Sequence, residues 1–160
     1  MGTIKPTTAG NYFIWFAHQH GDTITNLKLQ KLVYYAQAWH LAIHDEPLMS
    51  AKFEAWVHGP VQPALYRSVK SMCDQGWIPI PLAIDRKPRV VEDKEKHLME
   101  VYKVYGGFSA YDLERMTHQE MPWIKARKGL PPDAPSNNVI AESDMKQYYR
   151  QRLEQAQAKA

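Results

Sequence analysis

His40 and His44, in "HLAIH", stand one helical turn apart, the spacing at which two imidazoles on one helix face can share a metal ion. A zinc-protease helix also needs a glutamate directly after its first histidine, to serve as general base, and here Leu41 follows. No third ligand has a diagnostic spacing, so the two read as surface or capping histidines, with no metal and no cofactor. His118 and Glu120, in "MTHQEMPW", offer an imidazole and a carboxylate for proton transfer. Residues two apart at a helix end do not face each other. The segment reads instead as a corner: one helix ends near His118, the next begins at Pro122, and Trp123 anchors the turn in the core. His58, in "FEAWVHGPVQPALY", is the third candidate, between Trp56 and Gly59-Pro60.

Motifs for other chemistries are missing. Gly106-Gly107 follows a helical stretch rather than introducing one, so it is not a phosphate-binding loop, and no serine sits in a G-x-S-x-G elbow. A single cysteine, Cys73, cannot form an internal disulfide and reads as a small buried hydrophobe. No residue is assigned a catalytic role.

The elements that must position these side chains are mostly helical. The stretch 8–19 carries Tyr12, Phe13, Phe16 and Ala17 at helical spacing, and Gly21-Asp22 ends it. In "TITNLKLQKLVYYAQAWHLAIHDEP" Thr25 is a good N-cap, and Pro47 closes the segment. Leu29, Leu32, Val33, Ala36, Trp39 and Ile43 mark one face of that helix, and Tyr34, Tyr35 and Leu41 widen it. A helix apolar on most sides belongs at the centre of a domain. "KFEAWV" alternates like a short strand, with Trp56 opposite to Phe53, Ala55 and Val57; "GPVQP" breaks it; Pro63 starts a helix with Leu65, Val69 and Met72 inward. The proline-rich run 76–91 reads as extended chain. A helix follows with Leu98, Val101, Tyr102 and Tyr105 inward, and the next has Ser109 as N-cap. Residues 130–138 form a loop, and a last helix frays past Leu153.

These elements describe a mainly α, compact multi-helix single domain with a small β hairpin or short strands, spanning 1–153, with a frayed tail at 154–160. One hundred and sixty residues suit one domain. No stretch approaches the roughly 20 apolar residues of a membrane span, and no signal peptide is recognisable, so the expected location is cytoplasmic. The net charge of +3 is spread: residues 85–103 hold six basic and five acidic side chains, a solvated face rather than a phosphate track. The charge therefore argues for no nucleic-acid partner. Five tryptophans and nine tyrosines exceed what a small core requires, and such residues dominate interfaces. Trp56, on the outer face of its strand, needs another element or a partner to cover it.

Three segments in order, "ITNLKLQKLVYYAQAWHLA", "FEAWVHGPVQPALY" and "LERMTHQEMPWIKAR", resemble the Panacea antitoxin domain, the family of SocA-like antitoxins that includes many phage-associated proteins. The likeness runs from about residue 9 to residue 150. It implies a helical recognition domain that neutralises a cognate protein toxin, encoded by a neighbouring gene, by binding it directly; steric covering of the toxin's active site is the mechanism expected of it here. A proteolysis adaptor that delivers a toxin to a protease, or a nucleic-acid-binding regulator, are the alternatives. The family pattern falls on Leu29, Lys31, Leu32, Tyr35, Ala36, Trp39, Glu54, Ala55, Trp56, His58, Gly59, Pro60, Val61, Tyr66, His118, Glu120, Trp123 and Arg127; of these Trp56, His58, Gly59, Pro60, Tyr66, His118, Glu120 and Arg127 are the expected partner-binding residues. At the position of His58 the family more often has tyrosine, a poor proton acceptor near neutral pH, so His58 reads as the aromatic end of a strand and not as a base. A toxin antagonist that mimics nucleic acid would be acidic; this chain is slightly basic.

Overall fold

Thr25 begins the central element as its sequence demands. The Thr25 hydroxyl accepts a 3.1 Å hydrogen bond from the Lys28 amide, and α2 runs from Asn26 to His44. In the computed structural model, which describes every residue except Met1, Asp74, Ile78, Leu82, Ala83, Asp85 and Ala160, α2 is buried along nearly its whole length. Around it pack α1 (Pro6–Gln19), α3 (Pro63–Lys70), α4 (Glu92–Tyr105), α5 (Ala110–His118) and α7 (Glu142–Ala158), while α6 (Met121–Ala126) packs on α5 and α7. The α2 helix ends at Asp45, which adopts the left-handed conformation at φ 60°, two residues before the proline expected to stop it. A left-handed C-cap closes the last turn by its own hydrogen bond, so the proline is not required.

The hairpin differs from expectation in one respect. Strand β1 (Glu54–Trp56) pairs antiparallel with β2 (Gly59–Val61), so "GPVQP" continues the sheet rather than breaking it. Ala55 lies opposite Pro60, and the Ala55 amide donates away from β2, to the Asn138 carbonyl at 2.8 Å. Pro60 therefore occupies a position of the ladder where no amide hydrogen is needed. His58 is not at a strand end: with Val57 it forms the two-residue connection. The loop at 130–138 leads into an extended segment whose Val139 bridges Glu54, so β1 is covered on both edges. Part of the run 76–91 lies outside the described residues; within it Pro79 bridges Thr25, and the Ile80 amide bonds the Ile24 carbonyl at 2.8 Å.

Polar struts tie the outer helices to α2, among them one from α4 and one from α7. The His97 ring of α4 is buried and donates through Nε2 to the Ala36 carbonyl at 2.8 Å. Burial holds this imidazole neutral, with its pKa lowered to about 4 from the usual 6.5. Between those values the unfolded chain binds more protons than the folded one, so stability should fall as pH drops from about 6.5 toward 4. Urea unfolding at pH 7, 5.5 and 4.5 checks this: His97→Gln should lose part of the acid sensitivity. On the α7 side, Arg150 donates to the Ala42 carbonyl at 3.1 and 3.2 Å. Helix α7 continues to Ala158, and its residues from Glu154 onward are exposed. No helix among the described residues is long and apolar enough to cross a membrane.

Candidate functional site

The three segments singled out in the sequence converge on the β1–β2 hairpin. Its backbone is held at several points by side chains from elsewhere in the chain. Arg127 donates to the Ala55 carbonyl at 3.0 Å, Trp123 Nε1 to the Trp56 carbonyl at 2.9 Å, and Lys31 Nζ to the Pro60 carbonyl at 3.2 Å. Gln30 Oε1 accepts from the Gln62 amide at 3.0 Å. At the tip, His58 Nδ1 meets Glu114 of α5 at 3.0 Å. A hairpin of two three-residue strands has little stability alone; here α2, α5 and α6 hold it in one position.

Gly59 makes that position possible. Its φ is +106°, and a Cβ there would lie 2.5 Å from Lys31 Cε and 2.9 Å from Thr117 Oγ1. Lys31 is fully buried and cannot retreat toward solvent. Gly59→Ala should therefore destabilise the fold by about 1–3 kcal/mol through backbone strain alone, and more if Lys31 is displaced. Equal urea midpoints for Gly59→Ala and the parent chain would refute this.

The expected partner-binding residues divide by burial. His58 has 61% of its side chain exposed, and Trp56 and Tyr66 are half-buried with their rings edge to face, centroids 5.0 Å apart. Together they form one wall of an open apolar groove of about 210 Å³. Leu27 closes its α2 side, and Pro135 and Ser136 close the side of the loop. The Trp56 indole is oriented by its N–H bond to Glu54 at 2.9 Å.

Gly59 and Pro60 are buried beneath this surface, as are two charged residues expected to contact the partner. Arg127 is 2% exposed, donates also to the Pro131 and Ala134 carbonyls at 2.8 and 2.6 Å, and lies 4.7 Å from the Trp123 ring centroid. Glu120 is 4% exposed and accepts from Tyr35 at 2.9 Å, Tyr149 at 2.6 Å and Arg152 at 3.0 Å. Burial pushes the Glu120 carboxyl up, while the Tyr149, Tyr35 and Arg152 bonds pull it back. Its role in the structure is to join α2 and α7 at the head of α6. His118 is half-buried and stacks on Trp123 at 4.0 Å with 15° between the planes; burial lowers its pKa.

Lys31 falls on the family pattern but is not among the expected partner-binding residues. A lysine on an otherwise apolar helix face is the signal that marks it. Burial lowers its pKa to about 7, opposed by the charge of Glu114. The histidines of α2 also acquire a neighbour: His97 of α4 brings its ring 5.1 Å from that of His40, itself 4.6 Å from His44. However, His40 Nδ1 bonds the Glu46 carbonyl at 2.7 Å, and no three His, Cys, Asp or Glu side chains among the described residues are placed to hold a metal ion.

Comparison with known proteins places this arrangement in a family. Residues 29–124 match the model of the antitoxin SocA-like Panacea domain, which is more than half of the chain and contains most of α2, the hairpin and the α5–α6 corner. The chain belongs to that family of antitoxins. It is similar to antitoxin SocA of Caulobacter vibrioides (strain NA1000 / CB15N), with 50% identity over 44 residues. The match covers 28% of this chain and 23% of that protein. No solved structure matches.

Proposed function

We propose that this chain neutralises a protein toxin by binding it directly and covering the toxin's working surface, with the hairpin groove as the centre of contact. The observation that carries the reading is the groove itself: half-buried Trp56 and Tyr66 flank an apolar recess on a hairpin fixed from beneath by Lys31, Trp123 and Arg127. Aromatic anchors beside a rigid recess are what binding hot spots are made of, and a preordered backbone spares the entropy of ordering it on association. Membership of an antitoxin family supports the partner class, and the balanced surface charge argues against competition by nucleic-acid mimicry. Trp56, His58 and Tyr66 make the contact; Gly59, Pro60, Glu120 and Arg127 hold the surface that makes it; His118 supports it through Trp123. The partner is the product of a neighbouring gene, and the site of action is the cytoplasm.

The test is co-expression with the adjacent reading frame. That frame should arrest growth alone and be harmless beside this chain. Trp56→Ala should abolish protection, lose about 2 kcal/mol or more of binding, and leave the far-ultraviolet circular dichroism unchanged. Full protection by a folded Trp56→Ala variant would remove the hairpin from the interface.

A further inference from the structure

We propose that the hairpin groove receives one large apolar side chain of the partner, and that a carboxylate next to it in the partner's sequence pairs with His58. This deepens the toxin-binding reading above and rests on it. The size of the recess, about 210 Å³, suits a single phenylalanine- or leucine-sized side chain rather than a helix. Its walls are Leu27, Trp56, Val61, Tyr66 and Pro135, and His58 stands at its mouth beside Ser136, whose hydroxyl accepts from the Asn138 amide at 3.1 Å.

Below about pH 7 the charge at that mouth is unbalanced. Lys31 is fully buried directly under Gly59-Pro60, with a backbone carbonyl as its hydrogen-bond partner. His118 lies in the same corner, its ring hydrogen-bonded to the Val57 backbone and its Nε2 buried without a partner among the described residues. Among the described residues Glu114 is the carboxylate these basic groups share: it touches His58 at 3.0 Å and acts through space on both Lys31 and His118. The buried Lys31 ammonium, protonated below about pH 7, and the exposed His58 ring share that single carboxylate, while burial disfavours the charged form of His118; this makes an anion-seeking end to an apolar groove. With Nδ1 occupied by Glu114 and most of its ring in solvent, His58 retains Nε2 for a second carboxylate. An apolar anchor followed by an acidic residue is the partner chemistry complementary to both features.

Nitrogen-15 NMR titration of the full chain at pH 6 with three acetylated, amidated dipeptides tests this: Phe-Asp, Phe-Asn and Gly-Asp. Phe-Asp should shift the Trp56 indole and Tyr66 amide signals saturably. Phe-Asn should bind about two- to fivefold more weakly, the worth of one exposed ion pair, and Gly-Asp at least tenfold more weakly. His58→Ala should erase the difference between Phe-Asp and Phe-Asn while retaining the preference for Phe. Equal affinity for Asp and Asn in the parent chain, or no saturable shift in the groove with any dipeptide, overturns the inference. Protection in the co-expression assay is scored separately: protection without the Phe-Asp preference overturns this inference and leaves the toxin-binding reading intact, whereas loss of protection with the preference retained does the reverse.

Discussion

Replacing Lys31 by methionine should abolish a rise in stability that the parent chain shows between about pH 7 and pH 9. The ammonium is fully buried and its pKa is lowered from 10.5 to about 7, chiefly by loss of water. Above pH 7 the folded chain has released a proton that the unfolded chain keeps until near 10.5. The unfolded state thus binds more protons across that window, and stability increases with pH. The slope approaches 1.4 kcal/mol per pH unit, a few kcal/mol in all, on the order expected for one strongly perturbed group. Below pH 7 both states carry the proton and the full cost of burying the charge is present. Lys31→Met removes the titration but also leaves the Pro60 carbonyl short of a donor, a penalty of about 1–3 kcal/mol. The discriminating quantity is therefore the slope, read from urea unfolding at pH 7, 8 and 9. A flat profile for the parent chain would mean that water reaches Lys31 and that the site is not dry.

Arg127→Ala should lower stability by about 3–5 kcal/mol, the largest effect expected of a single substitution here. The guanidinium satisfies three backbone carbonyls, those of Ala55, Pro131 and Ala134, and lies over the Trp123 ring. Each carbonyl left buried without a donor costs about 1–3 kcal/mol, reduced where relaxation admits water. The loss should concentrate in the hairpin and the loop after α6, where hydrogen exchange would show the Ala55 and Ile140 amides opening first. If Arg127→Ala keeps the parent's urea midpoint and loses only toxin binding, the guanidinium contacts the partner, and its internal bonds contribute little.

That contrast bears on what the sequence could reveal. Helix α2 was legible because its apolar positions, its threonine cap and its length agree, and local preference and burial act in the same direction. The alternation of Phe53 and Ala55 against Glu54 and Trp56 likewise placed Trp56 on the outer face. Pro60 misled because proline usually interrupts a ladder; only the pairing register, with Ala55 bonded outward to Asn138, shows why it is tolerated. The division of the site into an exposed surface and a buried frame was not legible either. Arg, Glu and Lys are rarely fully buried unless paired, and the partners that bury Arg127, Glu120 and Lys31 come from residues as distant in sequence as Ala55, Tyr35 and Pro60.

The amino-acid order alone determined the helices, the aromatic surplus and the family, because each is written in local spacing or in short motifs. Which charged residues became frame and which became surface was decided by the tertiary structure. Burial and hydrogen-bond satisfaction depend on chain segments that meet only once the domain has folded.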